Sequence, residues 1–127
     1  MRYPLLLPAA LVAALPATAS AQGLAWVSNT AICPDLRAGA MAEAVLGEGD
    51  ALLLDSSGIT GMEYRCVFSP ALDLDAADLT VTTHTGHCEE PGLITPQLFT
   101  FRMEREETPR ISLFDGSESA TVFFACP

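Results

Sequence analysis

Four cysteines, Cys33, Cys66, Cys88 and Cys126, are spread over residues 22–127, and none lies before them. An even number of widely spaced cysteines behind an exportable leader marks a chain that is cross-linked outside the reducing cytoplasm. Two bridges constrain the fold strongly, because each must bring distant segments to within about 7 Å between Cα atoms. Four cysteines admit three pairings, and the sequence does not choose among them. The favoured arrangement is Cys33–Cys66 with Cys88–Cys126. The first bridge would pin the N-terminal segment to the first long strand, and the second would tie the last strand to the middle of the sheet. Each would close a loop of about 30–40 residues and contribute roughly 3–4 kcal/mol in the chain-entropy model.

Residues 1–21 read as a secretory signal peptide. Arg2 supplies a positive start, Leu5 to Leu15 an apolar stretch, Pro16 a break, and Ala19-Ser20-Ala21 the small residues read by the peptidase. The apolar run is too short for the roughly 20 residues of a membrane-spanning helix. Residues 22–127 then form a single secreted domain with no membrane insertion after cleavage. Removing Arg2 takes the net charge from −10 to −11, with 16 acidic residues against five arginines and no lysine. Such a surface repels nucleic acid and anionic headgroups. It suits solubility and admits a cationic partner. The composition points to a GC-rich bacterial genome, hence to a periplasmic or secreted destination.

Pro34 to Leu46 reads as one short helix, with proline at its start and Gly47 at its end. From residue 50 the period becomes two. Ala51–Leu54 is an apolar run before the turn Asp55-Ser56-Ser57-Gly58. Met62, Tyr64, Cys66 and Phe68 then alternate with Glu63 and Arg65 as a half-buried strand. Strands follow at Leu79–Thr85, at Gln97–Glu106 with Phe99, Phe101 and Met103 on one face, at Arg110–Phe114 and at Thr121–Cys126. In the last of these, Val122, Phe124 and Cys126 share a face that parity assigns to the core. Gly86 is read as a bulge before Cys88. Short strands and frequent turns predict a mainly β fold, an antiparallel meander forming a small barrel or sandwich.

The densest polar cluster is His84-Thr85-Gly86-His87-Cys88-Glu89-Glu90. Imidazole and carboxylate are ligands of zinc and copper, so His84 and His87 are the candidate metal pair. On a regular strand they point to opposite faces, and convergence requires the Gly86 bulge. Solvated histidines at a polar strand end are the preferred reading. Asp73-Leu74-Asp75-Ala76-Ala77-Asp78 lacks the ligand pattern of a calcium loop. Glu63, Glu89, Glu90 and Glu104 are the candidates for a carboxylate pair. No Cys-x-x-Cys, nucleophile elbow or phosphate-cradling glycine loop occurs, so neither a cofactor nor a catalytic residue is predicted. Tyr64 is assigned to the core, and Trp26 is left open between core and recognition surface.

Gly58-Ile59-Thr60-Gly61-Met62-Glu63-Tyr64-Arg65-Cys66, His87-Cys88-Glu89-Glu90-Pro91-Gly92 and Phe123-Phe124-Ala125-Cys126 resemble segments of small, uncharacterised exported four-cysteine proteins of alphaproteobacterial type. That resemblance implies a compact β-rich secreted domain and brings no activity. A second similarity is to periplasmic lysozyme inhibitors of the C-type class, small exported β-barrels with a Ser-Gly-x-x-Tyr loop. Here Ser57-Gly58-Ile59-Thr60 is followed by Gly61 instead of tyrosine, and Tyr64 comes later.

The expectation is a monomeric, non-enzymatic exported domain with a binding or structural role and an envelope or extracellular protein as partner. Loops 69–78 and 86–96 are its expected contacts. The alternatives are a metal-binding or small hydrolytic protein centred on His84 and His87, and an inhibitor of a basic hydrolase such as lysozyme.

Overall fold

The computed structural model describes residues 24–47 and 50–127. The segment read as a signal peptide, residues 1–21, lies outside them. Among the described residues, eight strands run in chain order around a closed antiparallel barrel. They are β1 Trp26–Val27, β2 Leu53–Leu54, β3 Gly58–Gly61, β4 Tyr64–Ser69, β5 Val81–Glu90, β6 Leu93–Glu104, β7 Arg110–Phe114 and β8 Thr121–Ala125. Each strand pairs with its neighbours in sequence, and β8 returns to β1 through Trp26↔Ala125 and Val27↔Phe124. The meander therefore closes as a barrel. Although β1 has only two residues, it pairs with β2 on one side and β8 on the other, which leaves no split into two sheets.

Local chemistry accounts for the turns. The Asp55 carboxylate accepts from the backbone N–H of Ser57 and Gly58 at 2.7 and 2.9 Å, closing the turn into β3. Asp115 does the same for Ser117 at 3.0 Å. Pro91-Gly92, with Gly92 at φ +76, joins the two longest strands. Proline presets the first turn position, and glycine takes the positive φ of the second.

The predicted single helix over 34–46 is two: α1 Cys33–Arg37 and α2 Ala42–Leu46. A 3₁₀ turn, Thr30–Ile32, precedes them. The break falls at Gly39, whose φ of +85 is left-handed and cannot continue a right-handed helix.

Phe99, Phe101 and Met103 all point inward, as their alternation predicts, and join Trp26, Ile59, Phe68, Ile111 and Phe123 in the barrel core. Each fully buried phenylalanine contributes about 2–3 kcal/mol of transfer free energy. Trp26 is a core residue, 6 % exposed. In β8 the interior residue is Phe123. Val122, Phe124 and Cys126 do share a face, but it is the outer one. Cys126 is buried there with Val27 and Cys33, beneath the α1 segment, in a second small cluster. A strand that reads Val-Phe-Phe-Ala has apolar groups on both sides, so its parity carried no information about which side was the core.

The bridges correct the favoured pairing. They are Cys33–Cys126, with Cα atoms 5.4 Å apart, and Cys66–Cys88, 4.0 Å apart. Cys66 faces Cys88 directly across the β4–β5 ladder. Cys33–Cys66 with Cys88–Cys126 would require β8 to return to the middle of the sheet, whereas β8 closes against β1, next to α1. The spans enclosed are 22 and 93 residues, which changes the chain-entropy contributions to roughly 3.4 and 4.7 kcal/mol.

The connection from β4 to β5 folds back onto the barrel. Leu72 is buried in the core, with Leu74 and Ala76 packed against it. Arg105 holds this segment by its backbone: its guanidinium donates to the carbonyls of Leu74, at 2.6 Å, and Ala76. Its own N–H donates to the Asp78 carboxylate at 2.7 Å. Arg105→Ala removes both guanidinium bonds and is expected to cost about 2 kcal/mol, lowering the melting temperature by roughly 10 °C. Arg105→Lys should restore little, because a single ammonium does not reproduce the planar fork. Calorimetry of the two variants checks this.

Candidate functional site

The histidines do not converge. The β5–β6 register is one-to-one from Val81↔Arg102 to Glu90↔Leu93, so Gly86 is no bulge and the strand keeps its alternation. His84 points into the barrel, 3 % exposed, against Phe68 and Phe101. Its Nδ1 lies 2.6 Å from the Pro70 carbonyl and its Nε2 2.8 Å from the Thr82 hydroxyl. A carbonyl only accepts, so Nδ1 carries the proton and Nε2 is left to accept from Thr82. His84 is thus a satisfied core residue that anchors the segment after β4, not the solvated histidine expected. His87 lies on the outer face, bonded to Glu89 at 3.1 Å. Among the described residues no three metal-ligating side chains cluster. Asp73 accepts from the Asp75 backbone N–H at 2.9 Å, an ordinary turn.

What the fold does assemble is an open groove of about 530 Å³ beside the β3–β4 turn. Glu43 comes to it from α2, Glu63 from the two-residue turn Met62-Glu63, and Glu89 and Glu90 from the end of β5. Glu63 has φ +52, which belongs to this tight turn. A neighbouring groove of about 430 Å³ shares Glu63, Tyr64 and Glu90 and adds Asp50. Arg65 is the cationic residue in the lining. Among the described residues, Glu43, Glu63 and Glu90 form no ion pair, and Glu89 pairs only with His87. Of the four carboxylates named from sequence, three meet here. Glu104 does not; Arg102 and Arg110 hold it elsewhere.

Tyr64 lines both grooves and is half-buried, a boundary residue more than a core one. Its hydroxyl donates to Cys88 Sγ at 3.3 Å, so the groove is built directly on the Cys66–Cys88 bridge. Burial, together with the negative charges of Asp115 and Glu90, raises the phenol above its ordinary value of 10.0. The group therefore stays a neutral donor. The four exposed carboxylates produce an attractive field for cations over about a Debye length of 8–10 Å.

The expected contact loop 86–96 is not a loop but the tip of the β5–β6 hairpin. The carboxylates at its base were visible in the sequence. Glu43 and Asp50 were missed, because nothing local places α2 and the segment before β2 beside that tip. Comparison with protein-family models, curated proteins and solved structures gave no match.

Proposed function

We propose that this chain is an exported, non-enzymatic domain of the periplasm or extracellular space that binds a cationic protein through the acidic groove around Tyr64. The observation that carries this reading is the convergence of Glu43, Glu63, Glu89 and Glu90 from three separate segments on one groove, against one arginine, Arg65, among the described residues. Exposed carboxylates gathered this way repel one another, and a basic surface relieves that repulsion while gaining steered association. The two bridges fit an oxidising compartment, and the resemblance to exported four-cysteine proteins supports the same destination. A closed barrel with its turns locked by carboxylate caps offers the rigid scaffold such a surface needs.

Lysozyme is a suitable basic probe, and inhibition of it would make the role specific. Binding to lysozyme, measured by calorimetry at low salt, is expected to weaken about tenfold in Glu63→Gln/Glu90→Gln, the loss of two favourable charge contacts. It should weaken further as salt shortens the Debye length. Affinity for basic proteins that is unchanged by both treatments would overturn the proposal.

A further inference from the structure

β6 is the longest strand, and β7 covers only part of it. The β6–β7 ladder spans Thr100↔Phe114 to Glu104↔Arg110. Among the described residues, Leu93–Phe99 therefore has β5 on one side and no strand on the other. The register shows where the backbone groups of this stretch point. The Met103 N–H donates to the Thr80 carbonyl at 2.9 Å, and its carbonyl accepts from Leu79 at 2.8 Å, so both groups of Met103 face the β5 side. Alternation along an unbroken antiparallel ladder then turns Phe99, Gln97 and Thr95 towards β5. Ile94, Pro96 and Leu98 turn theirs to the open edge.

We infer that this open edge accepts an extended basic segment of the cationic partner as an added strand. The inference rests on the reading of the acidic groove and extends it to a second contact. Main-chain bonds to an exposed edge supply affinity, and side chains on alternate positions supply selectivity. The edge offers both backbone groups of Ile94, the carbonyl of Pro96 and both groups of Leu98. Ile94 and Leu98 are 67 % and 62 % exposed, and Leu93–Phe101 carries no charge. Acidic groups flank it: Glu89 lies opposite Ile94 and Glu90 opposite Leu93.

Two observations select this occupant over a second copy of the chain. Two-fold antiparallel pairing centred on Pro96 would set two prolines opposite each other with no N–H between them, the way edges are blunted against self-association. A net charge of −10 opposes the same contact. A foreign basic strand meets neither obstacle.

The test is a nuclear magnetic resonance titration of the oxidised protein with a capped peptide of alternating lysine and valine, beside its glutamate–valine counterpart. The basic peptide is expected to shift the Ile94 and Leu98 amide signals and protect both from hydrogen exchange, and the acidic one to do neither. Leu98→Pro removes one outward N–H while sparing the ladder to β5, and should weaken binding about tenfold. Ile94→Lys/Leu98→Lys, a surface change that leaves the backbone intact, should weaken it comparably through repulsion. An edge whose amides are unmoved by the basic peptide, or binding indifferent to the variants, overturns the inference. Shifts confined to Glu63, Tyr64 and Glu90 would do so while leaving the groove reading in place; shifts nowhere would count against both.

Discussion

Gly86→Ala is expected to destabilise the protein by at least about 4 kcal/mol, at the extreme of single substitutions. A Cβ at this position would lie 1.8 Å from the Val67 carbonyl oxygen and 2.8 Å from the Phe68 Cα. Both are backbone atoms, so no side-chain rotation relieves the overlap. Gly86 pairs with Phe68 on β4 and with Gln97 on β6, so displacing it moves three strands together. The Cys66–Cys88 bridge, two residues along β5, holds the β4–β5 spacing and blocks the simplest relaxation. Gly92→Ala is the control. It has open space around it and a φ of +76, so its cost is the left-handed penalty alone, about 1–2 kcal/mol. Urea unfolding of both variants under oxidising conditions checks the comparison. A Gly86→Ala protein no weaker than Gly92→Ala would show that the hairpin shifts freely over β4.

The second large effect belongs to the longer bridge. Cys33→Ser/Cys126→Ser is expected to cost about 4.7 kcal/mol, against about 3.4 kcal/mol for Cys66→Ser/Cys88→Ser, because the released spans are 93 and 22 residues. Against a typical domain stability of 5–15 kcal/mol, either loss is severe. The barrel's seam makes the order more pronounced. β1 holds β8 through two residue pairs and β2 through two, and Cys126 is fastened beside it by its N–H to the Ala25 carbonyl at 2.7 Å. Without Cys33–Cys126 the buried contact among Val27, Cys33 and Cys126 loses its covalent tie. The β4–β5 ladder, by contrast, has four residue pairs besides the cysteine pair to hold it. Thermal melts of the two double variants decide the matter. If the Cys66–Cys88 deletion proved the costlier, the seam would be held by packing, and the chain-entropy ordering would fail.

Much of the β architecture was legible because it is encoded locally. The Asp55 and Asp115 turns follow from short carboxylates reaching backbone N–H groups two residues on. Phe99, Phe101 and Met103 alternate with polar residues, so their inward face could be read directly. The errors cluster where the local signal is symmetric or depends on a distant neighbour. In β8, apolar residues occupy both faces. At Gly86, glycine is compatible with a bulge and with close backbone approach, and only the position of β4 distinguishes them. His84 reads as polar, yet the Pro70 carbonyl and the Thr82 hydroxyl satisfy it inside the core.

The candidate site divides in the same way. Glu89 and Glu90 precede the Pro91-Gly92 turn, which the sequence marks plainly. Glu63 was read inside a strand by its alternation; the structure corrects this, because Gly61 pairs with Tyr64 and Met62-Glu63 forms the two-residue turn between them. That these three glutamates share one groove with Glu43 and Asp50 depends on where α2 and the approach to β2 are laid against the barrel. Arg105 was indistinguishable from any surface arginine, because its partners are carbonyls some 30 residues away, at Leu74 and Ala76.

By itself the amino-acid sequence determined that four cysteines would form two staples, that the chain from residue 50 would alternate as antiparallel strands, and where the turns at Asp55, Pro91-Gly92 and Asp115 would fall. These follow from residue chemistry and from neighbours within a few positions. Only the tertiary structure decided which cysteines meet, which face of β8 is interior, and which carboxylates converge. Each of those depends on strand order and register, set by closing the barrel, and a register is a relation between distant segments that no local pattern contains.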